Sequence, residues 1–135
     1  MTNARTCIAS SPDFYIPGRR EYHQARIVIT LQKSAEPLVF LVAMGKSAVF
    51  HHNISGTGLK VGDAAMIPFG SRPSQTVLAM PAGTNAPIIE SMQSYKSVKV
   101  RTRIWPWDNT LDSHDVPLNG FMRAYTLAQQ CAASL

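Results

Sequence analysis

The clearest alternation of apolar and polar positions lies at residues 97–104. There Val98, Val100, Thr102 and Ile104 alternate with Ser97, Lys99, Arg101 and Arg103. A period of two predicts a strand with one buried face. Trp105-Pro106-Trp107-Asp108-Asn109 ends it, because Pro106 has no N–H for a ladder and Asp-Asn favours a turn. Beyond Val116-Pro117-Leu118 the spacing becomes helical. Phe121, Ala124, Tyr125, Ala128, Cys131 and Ala132 form one apolar stripe, with Asn119 as the predicted N-cap.

The upstream pattern is one of short strands. Residues 6–9 predict a short strand, and 13–16, bracketed by Pro12 and Pro17-Gly18, a loop or short edge strand. Residues 25–31 are a β-branched run and predict a strand. Residues 38–44 are continuously apolar, the pattern of a strand covered on both faces or central in a curved sheet. Residues 47–52 are its predicted hairpin partner. The glycines of 55–63 predict a loop; 64–67 and 76–80 predict strands separated by a turn over 68–73. Asn85 as N-cap and Pro87 in the first turn open a helix with Ile88, Ile89, Met92 and Tyr95 on its apolar stripe. The sum is an α+β fold: a mainly antiparallel sheet or sandwich of about seven short strands, with two helices in the C-terminal half. It is read as a single domain over residues 1–135.

Composition supports a globular chain. Of its 135 residues, 45% are apolar and 16% charged, which excludes a disordered polar chain. The longest apolar run falls well short of the roughly 20 residues of a membrane-spanning helix. A net charge of +5 permits attraction to anionic lipid, nucleic acid or an acidic partner. Met1-Thr2-Asn3-Ala4-Arg5-Thr6-Cys7 has no apolar h-region, so the chain reads either as cytoplasmic or as a mature form.

The cysteines bear on that choice. Cys131 falls on the apolar helix stripe, where a free thiol would pack as a small hydrophobe. Cys7 lies in a polar terminal segment that needs tying down to be ordered. A Cys7–Cys131 disulfide is therefore the expectation, and with it an oxidising compartment.

Candidate chemistry is sparse. Gly45-Lys46-Ser47 has the ending of a phosphate-binding loop, but Phe40 stands where its first glycine belongs. His51 and His52, adjacent on a strand, would point to opposite faces and could not share a metal. Asp112-Ser113-His114-Asp115 collects catalytic residue types within one polar turn, whereas triads assemble from distant segments. Cys131 shows no signal of a lowered pKa. No catalytic, metal or cofactor site is therefore expected, and the chain reads as non-enzymatic.

Two binding features remain. Lys99, Arg101 and Arg103 place three cations along one strand face, which fits either a partner surface or an edge strand defended against self-pairing. Trp105 and Trp107, at i and i+2, would share a face on an extended chain, forming either an interface platform or the end of a small core.

Ala86-Pro87-Ile88-Ile89-Glu90-Ser91-Met92, the basic strand, and Val116-Pro117-Leu118-Asn119-Gly120-Phe121-Met122-Arg123-Ala124-Tyr125 together bear a likeness to a known ending. It resembles that of the invasion-associated locus B family of small bacterial periplasmic proteins. The sharpest part is Leu118-x-Gly120-Phe121-x-x-Ala124, and the likeness is confined to the C-terminal third. It implies an exported, non-catalytic, β-rich protein linked to host interaction or envelope function.

The expectation is thus a binding protein that engages a protein partner or an anionic envelope surface through Lys99, Arg101, Arg103, Trp105 and Trp107. Nucleic acid is not expected. The alternative is an accessory or immunity-type protein of a secretion or conjugation system that docks one specific protein.

Overall fold

The computed structural model describes residues 6–18, 22–33, 35–45 and 49–135. The run of β-branched and apolar residues forms two long strands, β3 (Tyr22–Gln32) and β4 (Leu38–Met44), paired antiparallel with Val28 opposite Phe40. β1 (Thr6–Ser10) and β2 (Phe14–Pro17) both pair with β3. On the other side of β4 lie β8 (Val77–Ala79) and then β7 (Ser71–Ser74). These six strands make the first sheet.

The second sheet is built on β9 (Ser97–Thr102), flanked on one side by β5 (Gly58–Val61) and then β6 (Ile67–Pro68). On its other side are β10 (Leu111–Asp112) and β11 (Val116–Pro117). All described pairings are antiparallel. Helices α1 (Asn85–Ser94) and α2 (Asn119–Ala133) complete the expected α+β fold. Four of the eleven strands among the described residues span only two or three residues, too short for alternation to show in the sequence.

The core lies between the sheets. Ile27, Ile29, Val39, Leu41 and Leu78 enter it from the first sheet, and Leu59, Val61, Val98 and Val100 from the second. α1 contributes Ile88, Ile89 and Met92; α2 contributes Phe121, Tyr125 and Ala128. Phe50 links the loops at the ends of both sheets: its N–H donates to Gln75 O at 2.7 Å between β7 and β8, and it forms an isolated bridge with Ile104, just past β9. Two buried serines extend the ladders. Ser11 Oγ accepts from Ile27 N–H and Ser113 Oγ accepts from Val100 N–H, each at 2.9 Å.

Several expectations are corrected. The glycine-rich stretch contains β5, because Leu59 and Val61 are core residues and Gly58 lets the strand approach the Ile67 carbonyl more closely than a side chain would permit. The predicted strand at 64–67 overlaps β6 only at Ile67, and the predicted turn at 68–73 gives way to β7 from Ser71 onward. β4 takes β3 and β8 as neighbours, so the segment around Phe50 to His52 is not its hairpin partner. Lys46 and Ser47 lie outside the described residues, as do Arg19, Arg20 and Glu21 before β3.

Neither asparagine caps its helix. Thr84 and Leu118 hold the N-cap positions, with no side-chain capping bond. α2 lies against β1 and β3 rather than against β9. Cys7 and Cys131 are bonded at an S–S distance of 2.03 Å, linking β1 to the end of α2. Cys131 is exposed rather than buried in the stripe, while Cys7 is buried at 5% exposure. No described helix is long and apolar enough to cross a membrane.

Candidate functional site

β9 is a central strand, so its cations do not defend an edge. Lys99 and Arg101 do share its outer face, but each meets an acid from the neighbouring segment. Arg101 Nε and Nη2 donate to the two Asp112 carboxylate oxygens at 2.7 and 3.2 Å. Lys99 Nζ lies 3.9 Å from Asp115. The hydrogen bond from Arg101 holds the Asp112 carboxyl below its usual range against the opposing effect of desolvation, and the charges of Arg101 and Lys99 add to the lowering. The same bond raises Arg101. Lys60 stands opposite Lys99 on β5, and Asp63 joins it in lining an open cleft of about 340 Å³. The sequence's basic row is therefore a mixed-charge surface.

Arg103 leaves that row, because the strand ends at Thr102. Its Nε donates to Ser55 O at 2.8 Å and its Nη1 to Asp108 O. It clamps two loops together instead of offering a free charge. One of the two, the loop of Asp108, carries both tryptophans.

The chain at Ile104-Trp105-Pro106-Trp107 is a tight turn with a cis Trp105–Pro106 bond, closed by Trp107 N–H donating to Ile104 O at 2.9 Å. A cis proline at the third position defines this turn type. The i, i+2 argument for an extended chain thus does not apply. Trp105 N–H donates to Val49 O and His51 N–H to Arg103 O, both at 2.9 Å, so the turn is anchored on each side. Trp105 remains 53% and Trp107 43% exposed.

Under the turn sit the two histidines. No strand forms at His51 and His52, so the chain bends and their rings come within 4.4 Å of each other. The expectation that they face apart is corrected by that bend. Trp105 lies 5.2 Å from the His51 ring and 5.8 Å from His52. His51 Nδ1 accepts from Asn53 N–H at 3.0 Å, which places the imidazole proton on Nε2, facing Asp108 Oδ1 at 3.3 Å. Beside Trp105, a shallow cleft of about 190 Å³ is bordered by Phe50, His52, Arg72 and Gln75. Nothing matches this chain among family models, curated proteins or solved structures.

Chemically the corner offers aromatic area, an imidazole and a guanidinium. The candidate catalytic turn does not add to it. Ser113 is buried with its hydroxyl hydrogen-bonded to Val100 N–H and His114 O, and Asp112 and Asp115 face Arg101 and Lys99. Asp115 lies opposite the start of β9 and His51 beside its end, so the two acid-base candidates do not meet in one cleft. Among the described residues, no three His, Cys, Asp or Glu side chains form a group fit for a metal. The histidine–tryptophan packing was hidden from the sequence by its dependence on a bend at His52. The Asn53-Ile54-Ser55 turn, where Asn53 Oδ1 accepts from Ser55 N–H, was its one local signal.

Proposed function

We propose that this chain is a non-catalytic, exported binding protein that engages a protein partner through the Trp105–Trp107 turn. The observation that carries this reading is the exposure of two tryptophans on a turn anchored on both sides by backbone hydrogen bonds. Exposed indoles are costly to leave in water and are enriched among residues that dominate binding energy. A backbone already fixed by these bonds reduces the ordering that binding would otherwise require.

Export is supported by the Cys7–Cys131 bond, since such bonds persist in oxidising compartments. The resemblance of the C-terminal third to the invasion-associated locus B family supports a bacterial envelope setting and a link to host interaction. An anionic envelope surface is less well supported than a protein, because Lys99 and Arg101 lie beside carboxylates. The accessory or immunity-type alternative uses the same turn and differs only in the partner.

The test is capture of envelope proteins by the folded wild type and by Trp105→Ala/Trp107→Ala. Loss of a specific captured protein from the folded variant is the expected result. Equal capture by both would remove the turn from the function.

A further inference from the structure

We propose that the cleft beside Trp105 receives a carboxylate of the protein partner, gripped by Arg72. This rests on the reading of the tryptophan turn as the partner surface and names the group that enters beside it. Two backbone bonds build the cleft. Phe50 N–H donates to Gln75 O at 2.7 Å, which draws the β7–β8 turn against the histidine segment. Trp105 N–H donates to Val49 O at 2.9 Å, which draws the tryptophan turn against the same segment. Arg72 on β7, Gln75, His52 and Trp105 thus border one opening.

Arg72 differs from the other described arginines. Arg26 and Arg101 donate to Asp13 and Asp112, and Arg103 donates to two backbone carbonyls. Arg123 stands exposed on α2. Arg72 is half-buried, and its guanidinium meets no acceptor among the described residues. Its nitrogens nevertheless reach solvent, because no buried side-chain nitrogen or oxygen among the described residues lacks a partner. A guanidinium holds five donors, and the loss of water around it is not offset until an acceptor arrives.

The surroundings select a carboxylate. No acid borders the cleft among the described residues, and Asp108 of the tryptophan loop faces His51 instead. His52 is exposed with its ring 5.8 Å from that of Trp105, and the exposed Gln75 adds an amide. A guanidinium fork takes a carboxylate through two parallel N–H···O bonds. Phosphorylated segments are read by clusters of arginines, whereas a single arginine borders this cleft. The volume of about 190 Å³ lies below the roughly 300–1,000 Å³ of sites that hold whole small molecules. It suits one acidic side chain or one chain end, with its methylenes against the indole. The net charge of +5 steers an acidic partner towards the chain.

NMR titration of the full chain with short synthetic peptides tests this. One peptide is capped at both ends and carries a central Glu, and a second replaces that Glu by Gln. A third is the Gln peptide with a free C-terminal carboxylate. The Trp105 indole and Arg72 Nε–H signals should move with the first or the third, which tells a side chain from a chain end, and not with the second. Arg72→Gln changes a part-exposed position on an edge strand, so it should keep the fold while weakening that binding at least about tenfold. Equal movement with the capped Gln peptide, or none with any peptide, would overturn the proposal. So would tighter binding of inorganic phosphate than of either carboxylate peptide, which would assign the cleft to a phosphate group. Capture of envelope proteins keeps this result separate from the partner reading. A captured protein lost by Trp105→Ala/Trp107→Ala but held at full strength by Arg72→Gln would leave that reading standing and overturn the carboxylate inference. Peptide binding as expected, with capture unchanged in both variants, would remove the partner reading and leave the carboxylate site standing.

Discussion

Asn85 Oδ1 accepts a hydrogen bond at 2.8 Å from the backbone N–H of Val39, while Asn85 Nδ2 donates to Pro81 O at 3.3 Å. The side chain is 1% exposed and ties the first turn of α1 to β4. Replacing it by Ala leaves Val39 N–H buried without an acceptor. Asn85→Ala should therefore cost about 1–3 kcal/mol, read as a lowered denaturation midpoint. A midpoint unchanged in Asn85→Ala would show that Val39 does not depend on this bond.

The Cys7–Cys131 bridge joins residues 124 apart in sequence. Reducing it frees almost the whole chain in the unfolded state. By the chain-entropy account a loop of this order is worth up to about 4.7 kcal/mol, with about 2–4 kcal/mol typical of disulfides. Intact mass with and without reductant tests the bond itself. Thiol labelling of both residues in the unfolded, unreduced protein would contradict it.

Phe121 is 1% exposed on the side of α2 that faces the core, and α2 lies on β1 and β3. Phe121→Ala should cost about 3–5 kcal/mol. A loss under roughly 1 kcal/mol would make α2 peripheral to the core.

How far the fold was legible depended on periodicity. β3, β4, β9 and both helices carry patterns long enough to read, and each forms at or near its expected place. β5 was missed because Gly58 and Gly62 resemble loop residues, although Gly58 serves close approach to Ile67 and Gly62 lies under the Tyr95 ring at φ +55°. The helix caps failed for a different reason. Asn85 was drawn to a tertiary acceptor role that local sequence does not encode. At the site, the cations were legible on β9 but their acids were not, since the Arg101–Asp112 bond depends on β10 returning along β9. The Trp105 turn was visible as a break in the pattern, while its packing on His51 was not.

The lowered pKa of Asp112 makes stability depend on acid. Its carboxyl binds a proton less readily folded than unfolded, so its contribution is complete above the usual carboxylate range and is lost as pH falls through the depressed value. The decline should lie below about pH 4. It should be small, because the pair is well exposed to solvent. Asp112→Asn should flatten that part of the stability–pH curve, and an unchanged acid limb would show that the pair contributes nothing measurable.

The proposed function requires that the tryptophan turn meet a partner. Photo-cross-linking from a reactive aromatic residue placed at position 107, compared with one at Leu127 on the exposed side of α2, reads this directly. One discrete adduct from position 107, suppressed by Trp105→Ala and lacking from position 127, is the result predicted. Equal adducts from both positions, or none from 107 in protein that still binds its partner, would contradict it.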